Sequence, residues 1–74
     1  MSTNLSKMLN QNVSVGLRNG LEYQGILKSF DMHWNLVLED AKEIVDGQLA
    51  SNYGTIILRG NRILHIHNKE SEKK

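Results

Sequence analysis

The stretch Tyr-Gly-Thr-Ile-Ile-Leu-Arg-Gly-Asn-Arg-Ile-Leu-His-Ile-His, residues 53–67, holds two short apolar runs separated by a polar turn. We predict one strand over 53–58, a second over 62–67 and a tight turn around Gly60 between them. Neither run alternates cleanly between apolar and polar residues, which is typical of strands that are covered on both faces. A chain of 74 residues forms one small domain with one interior, so the second face of each strand needs another partner.

Other copies of the chain are one candidate for that partner. An exposed apolar strand edge promotes aggregation, and pairing with a second copy removes the edge. If the two strands lie on opposite edges of the sheet, the contact is head to tail and closes into a ring. The competing interpretation is that an N-terminal helix of the same chain covers the second face.

A strand and a tight hairpin are predicted upstream. Residues 13–18 alternate between apolar and small or polar side chains, as in a half-buried strand. Asn19-Gly20 then predicts a hairpin with a type I′ turn, in which both turn residues have positive φ. The return strand, 22–30, contains Gly25, which permits a sharp bend or a close backbone approach.

The remaining segments complete a small all-β domain. Alternation continues over 35–45, which predicts a third strand, and 46–52 is predicted to be a polar loop. Apolar residues spaced at i, i+3 and i+4 predict a short amphipathic helix within 2–11. The charged segment 68–74 is expected to be a disordered tail, which leaves 1–67 as the domain. One helix and five strands in so short a chain favour a strongly bent antiparallel barrel.

Composition excludes several classes of protein. The chain has 9 Lys and Arg against 8 Asp and Glu, so the overall charge does not by itself predict nucleic-acid binding. It has no cysteine, which excludes disulfides and is typical of a reducing compartment, so we expect a cytoplasmic protein. No apolar run approaches the roughly 18 residues that a membrane-spanning helix needs.

The sequence gives little support for a catalytic site or a metal site. There is no cysteine nucleophile and no arrangement of serine, histidine and acid, so we expect no enzyme and no cofactor. His65 and His67 share a face of the last predicted strand, but a third metal ligand is not visible, and we interpret them as surface or interface residues. An OB-fold single-strand binder would need a larger aromatic platform than 1 Trp, 2 Tyr and 1 Phe provide.

Two blocks of sequence closely resemble the Sm and Sm-like (LSm) family. The first lies within 13–43 and includes Phe-Asp-Met-His-Trp-Asn-Leu-Val-Leu at 30–38; the second is 53–63, with Arg-Gly-Asn at 59–61. The two motifs of that family have this spacing on either side of a variable loop. The bacterial Tyr-Lys-His signature and an Arg-Gly-rich tail are both absent from the sequence, so the chain is most similar to archaeal members.

The resemblance implies an Sm fold. This fold is an N-terminal helix on a five-stranded, highly bent antiparallel, SH3-like barrel. Family members assemble as rings of six to eight subunits, most often seven, in which the fourth strand of one subunit pairs with the fifth strand of its neighbour. The resemblance therefore implies a homo-oligomer, with a heptamer expected and a hexamer or an octamer as the alternatives.

The resemblance also implies a site for single-stranded, uridine-rich RNA at the inner rim of the ring, with one nucleotide per subunit. His33 and Arg59 would stack on the two faces of the base. Asn35 carries both a donor and an acceptor, so its amide would match the O4 and N3–H edge of uracil and oppose the reversed pattern of cytosine.

Three further residues belong to the implied site. Asp31 would orient its loop through the Asn35 amide or neighbouring backbone N–H groups. Gly60 would let the turn approach the ligand, and Asn61, where many members carry Asp, would hydrogen-bond across the pocket or toward the next subunit. Trp34 replaces the usual Met, and strand alternation predicts that it points away from the base and packs. The predicted function is an RNA chaperone or scaffold in RNA processing or turnover; the alternative is a structural or protein-interaction ring without RNA.

Overall fold

Six antiparallel strands and two short 3₁₀ turns make up the part of the chain, residues 4–69, that the computed structural model describes. The 3₁₀ turns span Leu5–Met8 and Gly60–Arg62. The strands, in chain order, are β1 (Asn12–Leu17), β2 (Glu22–Phe30), β3 (Leu36–Val45), β4 (Gln48–Asn52), β5 (Ile56–Leu58) and β6 (Ile63–Asn68).

The strands form one sheet in the order β4-β3-β2-β1-β6, and β5 also pairs with β3. β4 pairs with the second half of β3 and β5 with its first residues. Between them, the Tyr53 N–H donates to the Ala41 oxygen and the Ala41 N–H donates to the Gly54 oxygen, at 2.7 and 3.1 Å. β4 and β5 are therefore two halves of one bent strand, and the predicted five-stranded, strongly bent antiparallel fold is confirmed.

The polar loop predicted over 46–52 is wrong. Asp46 and Gly47 have φ values of +52° and +79°, as in a two-residue type I′ hairpin turn, and β4 follows at once. β4 carries mostly polar or small side chains and is largely exposed, so its sequence lacks the apolar alternation that signals a strand. Backbone pairing with β3 supplies the stability that its side chains do not.

Gly25 lies at a bend of β2, as predicted. A Cβ at this position would lie 2.9 Å from the Glu39 carbonyl oxygen and 3.2 Å from the Ala41 Cα, both on β3. The register between β2 and β3 shifts at Gly25, between Gln24 and Ile26, and again between Leu27 and Ser29. The close approach and the shifts curl the sheet around a single core.

The hairpin predicted at Asn19-Gly20 is confirmed, but the predicted type I′ turn is wrong. Gly20 has φ +89°, whereas Asn19 is not at positive φ. The Gly20 N–H donates to the Leu17 oxygen and the Leu17 N–H to the Leu21 oxygen, at 3.0 and 2.9 Å. These bonds enclose a three-residue loop that ends in a left-handed glycine. Asn19 contributes through its side chain, which accepts the Leu21 N–H at 3.0 Å.

The helix predicted within 2–11 is wrong in extent, since its described part is only the 3₁₀ turn Leu5–Met8. Its first two residues lie outside the described chain. Asn10 has φ +64°, and its N–H donates to the Leu27 oxygen of β2 at 2.7 Å. A left-handed residue ends a helix, and the bond to β2 takes the place of an intrahelical bond. The apolar spacing still places Leu5 in the core.

The core lies inside the curled sheet and is built from aliphatic residues of every strand except β4. Its buried members are Leu5, Val13, Val15, Leu17, Leu27, Leu36, Leu38, Ala41, Leu58, Ile63 and Ile66. Aliphatic side chains fill such a small interior without leaving unpaired polar atoms.

β1 is buried on both faces, although its alternation predicted a half-buried strand. Gly16 lies beneath the His65 imidazole, which a Cβ would overlap. Gln24 Nε2 and Ser14 Oγ both donate to the Glu22 carboxylate, at 2.9 and 2.5 Å. These bonds lower the pKa of Glu22 from its usual value, and burial opposes them. Polar side chains of β2 and β6 thus cover the outer face of β1.

The first two residues of the predicted tail, Asn68 and Lys69, are hydrogen-bonded to β1. Asn68 pairs with Val13, and the Lys69 N–H donates to the Asn12 oxygen at 2.9 Å. The rest of the predicted tail, 70–74, lies outside the described residues. Over 4–69, no helix has the length and apolar character needed to cross a membrane, and no three metal-ligating side chains are grouped to hold an ion.

Candidate functional site

The Asp31 carboxylate organises the loop between β2 and β3. Its Oδ1 accepts the backbone N–H groups of His33 and Asn35, at 2.8 and 3.0 Å. Its Oδ2 accepts Nδ2 of the Asn35 side chain at 3.0 Å. The Trp34 N–H donates to the Asp31 carbonyl at 3.0 Å and closes the turn. An aspartate side chain is short enough to bond the backbone a few residues ahead, so this loop has one preferred shape.

These hydrogen bonds favour the ionised form of Asp31. The Asn35 side-chain bond is the largest contribution, followed by the Asn35 backbone bond, and together they lower the pKa of Asp31 from its usual value of 3.8. The carboxylate is therefore charged at neutral pH and available as an acceptor.

The Asn35 amide connects this loop to the turn that follows β5. Its Oδ1 accepts the Gly60 N–H at 2.9 Å, while its Nδ2 donates to Asp31. An amide has two N–H groups and two oxygen lone pairs, so one donor and one acceptor remain for a ligand. Contacts to fixed partners on both sides hold the plane of this amide in one orientation.

Gly60 allows the two loops to touch. A Cβ on Gly60 would overlap the carbonyl oxygen of His33 and lie 2.9 Å from the Trp34 carbonyl carbon. The resemblance implied that Gly60 lets the turn approach a ligand. In the structure the missing side chain lets the turn lie against the backbone of the β2–β3 loop, where a Cβ would collide with His33.

A shallow cleft of about 470 Å³ lies where the two loops meet. It is lined by five of the six residues predicted for the site, His33, Asn35, Arg59, Gly60 and Asn61. Asp31, the sixth, does not line the cleft. Its carboxylate holds His33 and Asn35 in position by accepting hydrogen bonds from both. Residues separated by more than twenty positions in the sequence thus meet in one polar concavity.

The cleft offers a defined set of contacts to a planar, polar ligand. His33 and Arg59 are exposed, and each has a flat side chain that can stack on an aromatic ring. Asn35, which also lines the cleft, is half-buried. Its amide presents the donor and the acceptor that its bonds to Asp31 and Gly60 leave over. Arg59 contributes a positive charge, and within residues 4–69 no carboxylate lines the cleft. This chemistry suits an unpaired base of a nucleic acid.

Trp34 lies on the other side of the β2–β3 loop. It lines a separate cleft with Phe30, Met32 and the first 3₁₀ turn, and it packs against the core. The predicted packing role agrees with this position. The reason given for it, strand alternation, is wrong, because Trp34 precedes β3 and has φ +65°.

Arg18 is a neighbour of the site that sequence reasoning did not single out. Its Nε donates to the Asn61 carbonyl oxygen at 3.0 Å, and its backbone N–H donates to the Arg62 oxygen at 2.9 Å. Arg18 follows β1, whereas Asn61 precedes β6. The contact depends on the pairing of those two strands, so no local sequence pattern reveals it.

Apolar side chains remain exposed on the two strands that were predicted to need a partner. Ile57 of β5 is 67% exposed and Leu64 of β6 is 58% exposed. These strands lie at opposite ends of the sheet, and the N-terminal turn leaves both side chains uncovered. The described chain therefore presents two apolar edges.

Comparison with known proteins identifies relatives over nearly the whole chain. Residues 3–68 match the LSM domain family. The U6 snRNA-associated Sm-like protein LSm6 of Debaryomyces hansenii is 47% identical over 62 residues, which cover 84% of this chain and 73% of the relative. A putative snRNP Sm-like protein of Methanococcoides burtonii is 36% identical over 62 residues, which cover 84% of this chain and 86% of the relative.

Solved structures give the same result for the fold. A Pyrococcus abyssi Sm protein in complex with a uridine heptamer is 38% identical, with a TM-score of 0.85, and the match covers 88% of this chain and 92% of the other. A heptameric archaeal Sm protein is 44% identical, with a TM-score of 0.83, over 89% of this chain and 96% of the other.

Proposed function

The chain belongs to the LSM domain family of Sm and Sm-like proteins, and on that basis we propose that it forms a ring that binds single-stranded, uridine-rich RNA. The cleft at the β2–β3 loop and the turn after β5 carries this proposal. A histidine, an amide and a guanidinium meet there, and each can contact a different part of one base.

Base recognition follows from these three groups. His33 and Arg59 stack on the two faces of a uracil, and the free donor and acceptor of Asn35 meet its O4 and N3–H. Cytosine has a donor in place of O4 and an acceptor in place of N3–H, so it would leave the amide unpaired. Asp31, Gly60 and the Asn61 turn hold these groups in position, and Asn61 adds a polar side chain at the cleft.

Ring formation joins the two apolar edges. β5 of one subunit pairs with β6 of the next, which buries Ile57 and Leu64 and completes the sheet. One solved relative described above is a heptamer, which supports a ring of seven copies here. The other is a complex with a uridine heptamer, which supports uridine as the ligand. Repetition of one cleft around the pore then provides one nucleotide site per subunit.

The protein is a binding scaffold rather than an enzyme, as its family is. We propose that it acts as a chaperone or scaffold for RNA during processing or turnover, because a ring of base-binding clefts holds unpaired RNA without changing it. The relatives named as snRNA-associated and snRNP proteins support a role in ribonucleoproteins.

Location and boundaries belong to the same proposal. We place the protein in the cytoplasm, which the absence of cysteine supports. We place the Sm domain at 1–67 and a charged tail at 68–74. The family match and β6 both end at residue 68, one residue beyond this boundary.

The test is equilibrium binding of oligo-U and oligo-C to the purified ring. We expect oligo-U to bind at least tenfold more tightly, because only uracil satisfies the Asn35 amide, and one such mismatch is worth about 1–3 kcal/mol.

Arg59→Ala should weaken oligo-U binding by at least tenfold without dissociating the ring, since a stacking contact contributes about 1–3 kcal/mol per base.

Lys69→Ala is the matched control for Arg59→Ala, because it also removes one exposed cation but lies at the far end of β6. Its affinity for oligo-U should equal that of the wild type. Equal affinity for oligo-U and oligo-C would contradict the role of Asn35. An intact ring that binds neither oligonucleotide would instead favour a structural or protein-interaction ring.

A further inference from the structure

The guanidinium of Arg18 is anchored beside the cleft, yet base recognition makes no use of it. Its Nε donates to the carbonyl oxygen of Asn61, a residue that lines the cleft. The Arg18 backbone is also fixed, because its N–H donates to the Arg62 oxygen across the β1–β6 pair. Two hydrogen bonds therefore place this side chain at the rim of the site.

The anchoring leaves most of the guanidinium available. An arginine has five N–H donors, and the bond to Asn61 uses only the one on Nε. The side chain is exposed, and the Nε bond to Asn61 keeps it beside the cleft, so its two Nη groups are accessible to a ligand. A guanidinium that is already held in one orientation loses less conformational entropy when it binds a second group.

The charge around Arg18 favours an anion. The segments 17–21 and 58–63 contain three arginines and no aspartate or glutamate, in a chain whose net charge is only +1. The two carboxylates on adjoining elements are engaged elsewhere: Glu22 accepts from Ser14 and Gln24, and Asp31 accepts from its own loop. The positive charge beside the cleft is therefore local, and neither of these two acids forms an ion pair with Arg18.

We propose that Arg18 binds a phosphate of the RNA strand whose base occupies the adjacent cleft. Arginine pairs with phosphate through two parallel N–H groups, and the two Nη groups of Arg18 offer this geometry. The inference rests on the proposed function, since it needs RNA in the cleft. It assigns different contacts to three loops: the turn after β5 and the β2–β3 loop bind the base, and the β1–β2 loop binds the RNA backbone.

The test measures how oligo-U binding depends on salt for the wild type and for Arg18→Gln. Glutamine removes the charge but retains a side-chain N–H that can donate to Asn61. Each phosphate contact to a single strand contributes about 0.7 to the slope of log K against log salt concentration. We expect Arg18→Gln to flatten the slope by about 0.7 for each subunit that contacts the strand, and to weaken oligo-U and oligo-C binding by the same factor.

Lys69→Gln is the matched control, because it removes the same charge at the opposite end of β1. Its slope should equal that of the wild type. A wild-type slope in Arg18→Gln, an equal loss of slope in Lys69→Gln, or a selective loss of the preference for oligo-U would each overturn the assignment. Failure of wild-type oligo-U binding would instead overturn the proposed function itself, so the two failures are distinguishable.

Discussion

Asp31 and Asn35 show how single side chains build the site. The Asp31 carboxylate bonds both the backbone and the amide of Asn35, and that amide in turn accepts the Gly60 N–H. The turn after β5 is thus connected through one side chain to the β2–β3 loop. A change at Asp31, which does not line the cleft, should therefore alter what the cleft presents.

The charge of Asp31 predicts a pH dependence of stability. Its pKa lies below the usual 3.8, so its contribution to folding is complete at neutral pH and is lost as the pH falls through the folded-state pKa. We expect Asp31→Asn to lower the free energy of unfolding at about pH 7, and the difference from the wild type to shrink at about pH 3. Urea unfolding at a fixed protein concentration measures both values.

Asp46→Asn is the control for this prediction, because Asp46 is exposed in the β3–β4 turn and asparagine tolerates its positive φ. It should change stability little at either pH. A difference between Asp31→Asn and the wild type that is the same at both pH values would show that the carboxylate charge does not support the loop.

The residues of the site were predictable mainly through resemblance. Composition and spacing alone do not distinguish Arg59-Gly60-Asn61 from an ordinary tight turn, and His33 could equally be a solvated loop residue. The resemblance of both motifs to one family assigned these residues to a single site, and the structure places five of the six in one cleft. The Arg18 contact was not predictable, since it depends on the register of β1 against β6.

At the scale of elements, strands with an apolar face were predictable and those without one were not. The bounds of β2 match the prediction because its pattern and its turn signal agree. β4 was missed because hydrogen bonds to β3, rather than buried side chains, make it a strand. The predicted N-terminal helix was too long. The hydrogen bond from Asn10 to Leu27 that ends it is a tertiary contact, which local sequence propensity does not reveal.

The exposed apolar side chains of the edge strands lead to a prediction about ring assembly. We expect Leu64→Lys to leave the fold intact but to weaken assembly at least tenfold, because burial of a leucine contributes about 1.5–3 kcal/mol and a lysine must be desolvated there. Sedimentation velocity across a concentration series measures the shift toward smaller species. Met32→Lys is the control, because Met32 is 86% exposed and lies in the β2–β3 loop rather than on an edge strand. Identical sedimentation of the two variants would contradict the assignment of β6 as an interface.

At the scale of the whole molecule, affinity depends on repetition. One stacked base is worth about 1–3 kcal/mol, which is too little for useful binding by a single subunit. In the proposed ring, identical clefts around a pore act on one strand at high effective concentration, so each base that binds makes the next contact intramolecular. Ring formation and RNA binding are then parts of one proposed mechanism.

The most direct measurement is the native mass of the purified chain at micromolar concentration, with and without a short uridine oligonucleotide. The proposed function predicts one closed oligomer of seven copies, whose mass increases by that of a single bound oligonucleotide. A monomer under both conditions, or a closed oligomer whose mass the oligonucleotide leaves unchanged, would contradict it.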